Sequence, residues 1–465
     1  MDRDEGEATK TSGPAVRPWA PPPDCVLAVP DVTLLRFPDL TAMLPEWRIG
    51  PLSLAAFGAD GFLGWGRKPP ARLAARVARW RNRPFWTLED GFLRSVGLGK
   101  AGAPAVSLIV DDLGVYYDAS RPSRLETILA QDDLSPWRDR ARDIRARLIA
   151  ERLSKYNHLP DRPVRLTRDG RRNILLVDQV AGDYSTPGAL AGPADFARMI
   201  GMALREPDAR VILRAHPDVM DGRARGSFGD ALRDPRLVIC NDAVSPHAIL
   251  DVVDEVWTVS SQLGFDALLR GLSVRCFGVP FYAGWGLTRD DAGGPAAVQA
   301  LARRRGRRRQ ATLDLDDLTA AALLLYPLYY DPVRRRRVDI DVALDRLSDG
   351  RRHADAWRGE TACLGLGWRK RRVFTAYCAT PGGRVRFSTQ GGPPPDRIVV
   401  WGARGEAALT SQQRAHPGLL RAEDGFIRSV GLGGRGIFPL SLCFDGAGLY
   451  YDSTRASDLE TLLET

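Results

Sequence analysis

One stretch of eleven residues occurs twice in this chain with a single change, and it restricts what the chain can fold into more than any other feature. Glu89 to Gly99 reads EDGFLRSVGLG, and Glu423 to Gly433 reads EDGFIRSVGLG. The likeness continues downstream, where Pro104 to Glu126 (PAVSLIVDDLGVYYDASRPSRLE) returns as Phe438 to Glu460 (FPLSLCFDGAGLYYDSTRASDLE). The offset is 334 residues at Glu89, Tyr116 and Glu126, so the block carries no net gap. A period that long exceeds a solenoid unit and marks a duplicated domain. The second copy reaches Thr465 before it repeats the rest of the first. It is therefore expected to be an incomplete module, residues 362–465.

A chain of 465 residues has room for two or three domains, each with its own core. Its 44% hydrophobic and 26% charged residues are ordinary for a soluble globular protein. No apolar run approaches the roughly 18 residues of a membrane span, so none is expected. Residues 1–24 are polar and Pro-rich and read as a disordered tail, not a signal peptide. Six cysteines without CxxC spacing read as buried thiols in a reducing, cytoplasmic setting. Five scattered histidines show no paired-ligand spacing, so no metal site is expected. The net charge of +9 is almost entirely arginine, with only five lysines. Its densest run is Arg303 to Arg309, RRRGRRR. No nucleic-acid-binding motif accompanies that run, so no nucleic acid partner is expected. It reads as a solvated face or as attraction to anionic lipid headgroups.

Strand and helix signals alternate along the first module, which divides into residues 25–165 and 166–345, with a linker at 346–361. In the first half, Pro69–Arg81 has helical spacing, Pro84–Leu88 is a strand running into Glu89, and Val106–Val110 is another strand. Ser123 followed by Glu126 predicts a capping box. In the second half, strands at 173–178, 210–214, 236–240, 255–259 and 274–277 alternate with helices. That alternation implies a parallel sheet of Rossmann type. Ligands of such sheets sit at the carboxyl ends of strands, which is where the loops at Gln179, His216 and Ser260 fall. Helices are also expected over 313–325 and 338–347.

Three loop features carry candidate chemistry. Glu89 and Asp90 lie at a strand end, and both copies of the repeat keep Glu-Asp-Gly-Phe; a turn preference explains them equally. Asp183, in DQVAGDYS, is placed to serve as base, nucleophile or metal ligand, or simply to close an Asx turn. His216-Pro217 ends a strand, and Ser260-Ser261-Gln262 opens a helix whose free N–H groups suit an anion; ordinary capping looks the same in sequence. Neither a dinucleotide fingerprint nor a P-loop is present.

Together, EDGFLRSVGLG, PAVSLIVDDLGVYYDASRP, LSKYN, DQVAGDYS, RAHPDV, VSSQLGFDALLRG and CFGVPFYAGWGLT resemble the KpsC/LipA-type capsule polysaccharide proteins, a family of β-Kdo glycosyltransferases. The resemblance covers about residues 25–345 as one complete module and 362–465 as the opening of a second. It implies an α/β fold, a GT-B-like module of two Rossmann-type halves, with the nucleotide held by the second half. It implies CMP-Kdo as donor, a lipid-linked Kdo acceptor and no metal or other cofactor. It also implies retention of anomeric configuration through a carboxylate nucleophile. By motif, Asp183 is the implied nucleophile and Glu89 the implied acid/base. His216 with Pro217 is expected to contact CMP, and Gln179, Ser260, Ser261 and Gln262 to line the phosphate or cytidine site. Arg94 and Lys155 are candidate partners for the Kdo carboxylate. Peripheral contact with the inner membrane and with the capsule export machinery is a further implication. Only the first module is expected to be catalytic, since the second has Glu423 without counterparts of Asp183, His216, Ser260 and Ser261. Two alternatives stay open: a GT-B-like transferase or epimerase using another nucleotide sugar, and a non-catalytic capsule assembly protein.

Overall fold

The computed structural model of the protein describes residues 19–52, 58–131, 133–166, 169–215, 219, 224–229, 233–307, 313–389, 392–431 and 437–465. The chain forms two compact units, Met1–Ser348 and Asp349–Thr465. It is an α/β protein built on largely parallel sheets.

The first unit holds two sheets. The first contains β1 (Val26–Val29), β2 (Arg48–Pro51), β3 (Gly61–Trp65), β4 (Phe85–Asp90) and β5 (Ser107–Asp111). The second contains β6 (Arg172–Val177), β7 (Ala209–Arg214), β8 (Leu237–Cys240), β9 (Glu255–Thr258), β10 (Ser273–Cys276) and β11 (Arg289–Asp290). Its order is β11-β10-β9-β6-β7-β8, and all pairs are parallel. Read from its first strand, this is the 3-2-1-4-5-6 order of dinucleotide-binding sheets. The core strand β6 is apolar at successive positions because both faces are covered. Ile174 and Leu176 pack with Phe196 and Met199 of the Pro193–Ala203 helix, while Leu175 and Val177 join the cluster containing Phe265 and Phe281.

The first sheet departs from the expected Rossmann pattern. Strands β1 to β4 are parallel, but β5 runs antiparallel to β4. Two more strands, β12 (Pro327–Asp331) and β13 (Arg336–Val338), then extend it as antiparallel neighbours. They come from residues assigned in sequence to the second half, so the 25–165 half is completed by the returning chain. The reason is the run Pro327-Leu328-Tyr329-Tyr330-Asp331, every residue of which is buried. An aromatic run this short gives no periodicity to separate strand from helix end.

Three further expectations change. Residues 19–24 are not a free tail: the Trp86 indole donates to Trp19 O at 3.0 Å and the Trp47 indole to Pro21 O at 3.0 Å. The supposed linker 346–361 is regular structure. Ile340–Ala356 is a helix with Leu344, Leu347 and Ala354 buried, and Gly359–Leu364 is β14. The Arg303–Arg309 run is not simply a solvated face. Arg303 and Arg304 both bond Glu126, at 2.9 and 3.0 Å, and Arg304 also donates to Pro280 O and Ala283 O. Arg305 pairs with Asp290, while Arg308 and Arg309 lie outside the described residues. Glu126 therefore does not complete the expected capping box; Ser123 Oγ still accepts from its amide at 3.1 Å.

The second unit has one sheet, of β14, β15 (Gly383–Arg386), β16 (Arg397–Trp401), β17 (Leu419–Asp424) and β18 (Leu442–Asp445). Its order β15-β14-β16-β17-β18 repeats β2-β1-β3-β4-β5, including the antiparallel last strand. Register is repeated too: Glu89 faces Ile109, and Glu423 faces Cys443.

Candidate active site

In the second sheet the strand order reverses between β6 and β9. A crevice forms at such a switch point because the connections leave in opposite directions. Gln179, just after β6, and Ser260, just after β9, meet there. The Gln179 side chain donates to Ser260 Oγ at 2.9 Å and accepts from the Ser260 amide at 2.9 Å. The first sheet has its own reversal between β1 and β3. The carboxyl ends of both sheets open on one cavity of about 820 Å³. Asp31, Trp65, Lys68, Glu89 and Tyr117 line it from the first sheet's side, and Gln179, Asp183, Arg214, Ser260 and Asp266 from the second's.

Glu89 reaches this cavity as the penultimate residue of β4. Its side chain passes close to Gly66, whose φ of +52° and lack of a side chain are both required there. A Cβ would stand 2.4 Å from Tyr117 Oη and 2.7 Å from Glu89 Oε2. Burial, aided by the adjacent Asp90 carboxylate, pushes the Glu89 carboxyl up to about 7, against the pull of Lys155, the Asp90 amide and Lys68. Lys155 is the cation facing this group. Burial alone would lower it, but Tyr116, Tyr156, Asp90 and Glu89 outweigh burial and hold it above the usual lysine range. Tyr117 is raised first by burial and then by Glu89, and it feels Asp183 as well. Both carboxylates thus act on one ring.

Asp183 is exposed on the loop after β6 and lines the cavity. Its Oδ1 accepts from the Ser185 amide at 2.9 Å. The Asx turn and the cavity position therefore coexist. Arg94, Ser261 and Gln262 also line the cavity and are each held by further bonds within the protein. Arg94 donates to Asp90 at 2.9 Å, to Ser95 Oγ at 3.0 Å and to Ala103 O at 3.2 Å, so its guanidinium braces the repeat loop. Gln262 donates to Phe92 O at 2.7 Å and ties the second sheet's helix to that loop. Ser261 caps the Gln262–Leu269 helix, accepting from the Leu263 amide. His216 and Pro217 lie outside the described residues. Among the described residues, no three His, Cys, Asp or Glu side chains stand together as a metal site, and no helix is long and apolar enough to cross a membrane.

Residues 60–167 and 161–329 match the family described as "Capsule polysaccharide biosynthesis protein". The chain belongs to this family. It is 36% identical over 450 residues to the capsule polysaccharide modification protein LipA of Neisseria meningitidis serogroup A, covering 94% of this chain and 62% of LipA. It is 39% identical over 294 residues to the lipopolysaccharide-processing protein LpsZ of Rhizobium meliloti, covering 61% of this chain and 63% of LpsZ. The chain thus spans less than two thirds of the length of these curated relatives. Among solved structures it resembles the Thermosulfurimonas dismutans KpsC beta Kdo 2,4 transferase, with a TM-score of 0.64 and 36% identity over 70% of this chain and 98% of that one. The beta Kdo 2,7 transferase of the same KpsC matches with a TM-score of 0.52 and 27% identity, over 70% and 99%.

Within this family member, sequence reasoning missed three cavity residues. Asp266 sits one turn after Gln262 and faces the cavity. Burial pushes its carboxyl up to about 7, with Lys155 opposing. An acid inside the apolar run Leu263–Leu269 was the available signal. Asp178, just after β6, and Arg214, the last residue of β7, are linked by an Asp178 amide to Arg214 O bond of 3.0 Å. Each is buried with one polar atom unpartnered, Asp178 Oδ2 and Arg214 Nη1. Arg214, with Nη1 unpartnered at the cavity wall, suits an anionic ligand.

Proposed function

We propose that the first unit is a retaining β-Kdo glycosyltransferase of GT-B-like design, moving Kdo from CMP-Kdo onto a lipid-linked Kdo acceptor in capsular polysaccharide synthesis. One observation carries the reading: Glu89, held near 7, and Asp183 line the same cavity from opposite sheets. The likeness to KpsC directs it to Kdo.

The chemistry follows from the two carboxyl groups. The Asp183 carboxylate attacks the anomeric carbon of Kdo, and the bond from that carbon to the CMP phosphate oxygen breaks with its electron pair leaving on CMP. That leaving group is already an anion and needs hydrogen-bond donors, not a strong acid. The acceptor hydroxyl then attacks the same carbon, Glu89 takes its proton, and the Asp183 carboxylate is displaced. Two inversions give net retention. A base titrating near 7 is matched to this proton transfer at neutral pH. Lys155 is the wall cation for the Kdo carboxylate. Arg94, Gln179 and Gln262 line the same cavity, and their bonds to Asp90, Ser260 and Phe92 fix the loops from which they would meet the ligand.

The test is transfer of Kdo from CMP-Kdo to a Kdo-terminated acceptor, followed with CMP release. Asp183→Ala is expected to lower transfer by about 10³-fold or more, and UDP-sugars are expected to give no turnover. A folded Asp183→Ala protein transferring at the wild-type rate would overturn the proposal. Turnover of a UDP-sugar in place of CMP-Kdo would favour a different nucleotide sugar.

A further inference from the structure

The Pro69–Trp80 helix starts beside the cavity. Lys68, its N-cap, lines that cavity, and the Arg72 guanidinium lies 5.9 Å from the ring of Tyr184, another lining residue. With 3.6 residues per turn, Ala71, Ala74 and Ala78 fall on one face and are buried against the sheet. Arg76 stands opposite them. Leu73 and Trp80 flank it on one side and are 50% and 78% exposed, while Arg72 and Arg79 flank it on the other. Lys68 to Arg83 contains six cations and no acidic residue. Arg76 and Arg79 have no acidic partner among the described residues. Arg303, Arg304 and Arg305, by contrast, are all paired to carboxylates.

We infer that the outer face of the Pro69–Trp80 helix is a docking surface for an anionic phospholipid bilayer. Unpaired arginines meet the negative headgroups, and Leu73 and Trp80 enter the interfacial layer. A soluble polyanion would satisfy the arginines but would leave the indole and Leu73 in water. Charge and exposure alone define this surface. Its place beside the cavity mouth gains meaning from the proposed lipid-linked acceptor, and vesicle binding is measured independently of Kdo transfer.

The test is co-sedimentation of the full chain with vesicles of phosphatidylcholine alone or mixed with phosphatidylglycerol. Wild-type protein is expected to bind the mixed vesicles, weakly at high salt, and not to bind phosphatidylcholine alone. Each cation near the headgroups is worth a factor of about five, so Arg76→Glu/Arg79→Glu is expected to weaken binding at least about 25-fold. Trp80→Ala is expected to remove the part of binding that survives salt. Arg336→Glu/Arg404→Glu, an equal change of net charge on exposed residues elsewhere, is expected to change little. Four outcomes overturn the inference. The first is unchanged binding by the Arg76/Arg79 variant, and the second is an equal loss in the Arg336/Arg404 variant. The third is a failure of wild-type protein to prefer phosphatidylglycerol. The fourth is self-association abolished by Trp80→Ala without vesicle binding, which would make the face a contact between copies.

Discussion

The two copies of the repeat keep the same polar skeleton and differ in how they bury the apolar side chains of the Glu-Asp-Gly-Phe loop. Arg94 pairs with Asp90 at 2.9 Å, and Arg428 forms the equivalent ion pair with Asp424 at 2.8 Å. Ser95 and Ser429 each donate to the carbonyl two residues on, at 2.6 Å. Asp111 and Asp445 each accept two loop amides through Oδ1. Yet Phe92 is 1% exposed and its equivalent Phe426 is 70% exposed, and Leu93 at 3% compares with Ile427 at 82%. In the first unit, Phe265, Phe281 and Tyr326 approach the Phe92 ring, with centroids 4.4 to 6.4 Å away. Among the described residues of the second unit there is no second sheet to supply such rings. Glu126 shows the same division. It bonds Arg303 and Arg304, whereas Glu460 turns back to the Ser457 amide at 2.7 Å and completes the capping box. Local hydrogen bonds travel with the repeated sequence. The apolar side chains and Glu126 acquire their role from a partner sheet.

That comparison is easiest to break at the acids. Glu89→Gln is expected to lower transfer by about 10²- to 10⁴-fold and to remove an acidic limb near pH 7 from kcat/KM, while Glu423→Gln leaves the rate unchanged. Equal losses in steady-state assays would mean that the second copy shares the work. Next come the phenylalanines. Phe92→Ala is expected to cost about 3–5 kcal/mol in denaturant unfolding, and Phe426→Ala less than about 0.5 kcal/mol. Glu126→Gln leaves Arg304 buried without its counter-charge and is expected to cost about 3 kcal/mol. Glu460→Gln, which keeps the cap, is expected to stay within about 0.5 kcal/mol. A further effect concerns pH. The folded value near 7 for Glu89 lies above its ordinary value of 4.5, so the native state holds the proton longer than the unfolded chain. Wild-type stability therefore falls as pH rises from about 4.5 through 7. Glu89→Gln is expected to be about 1–3 kcal/mol more stable than wild type at pH 8 and to lose that advantage near pH 4.

Much of the first unit is legible in the sequence. Alternating strands and helices announced the second sheet, and its loop residues Gln179 and Ser260 do meet at the switch point. Side-chain employment was harder to read, because it depends on residues far away in sequence. Gln262 looks like an anion-binding helix start but bonds Phe92, 170 residues earlier. Arg303 and Arg304 look solvated but answer Glu126, 177 and 178 residues earlier. The β12 strand was missed because a five-residue buried run has no period, and Asp266 because an acid on a helix usually faces solvent.

The central claim is that Asp183 carries Kdo between donor and acceptor. Peptide mass spectrometry of the Glu89→Gln protein after incubation with CMP-Kdo tests it most directly, since loss of the base slows release of the intermediate. The account predicts one Kdo on the peptide containing Asp183, absent when Asp183 is also changed to Ala. Kdo bound to another residue, or to the doubly substituted protein, would contradict it.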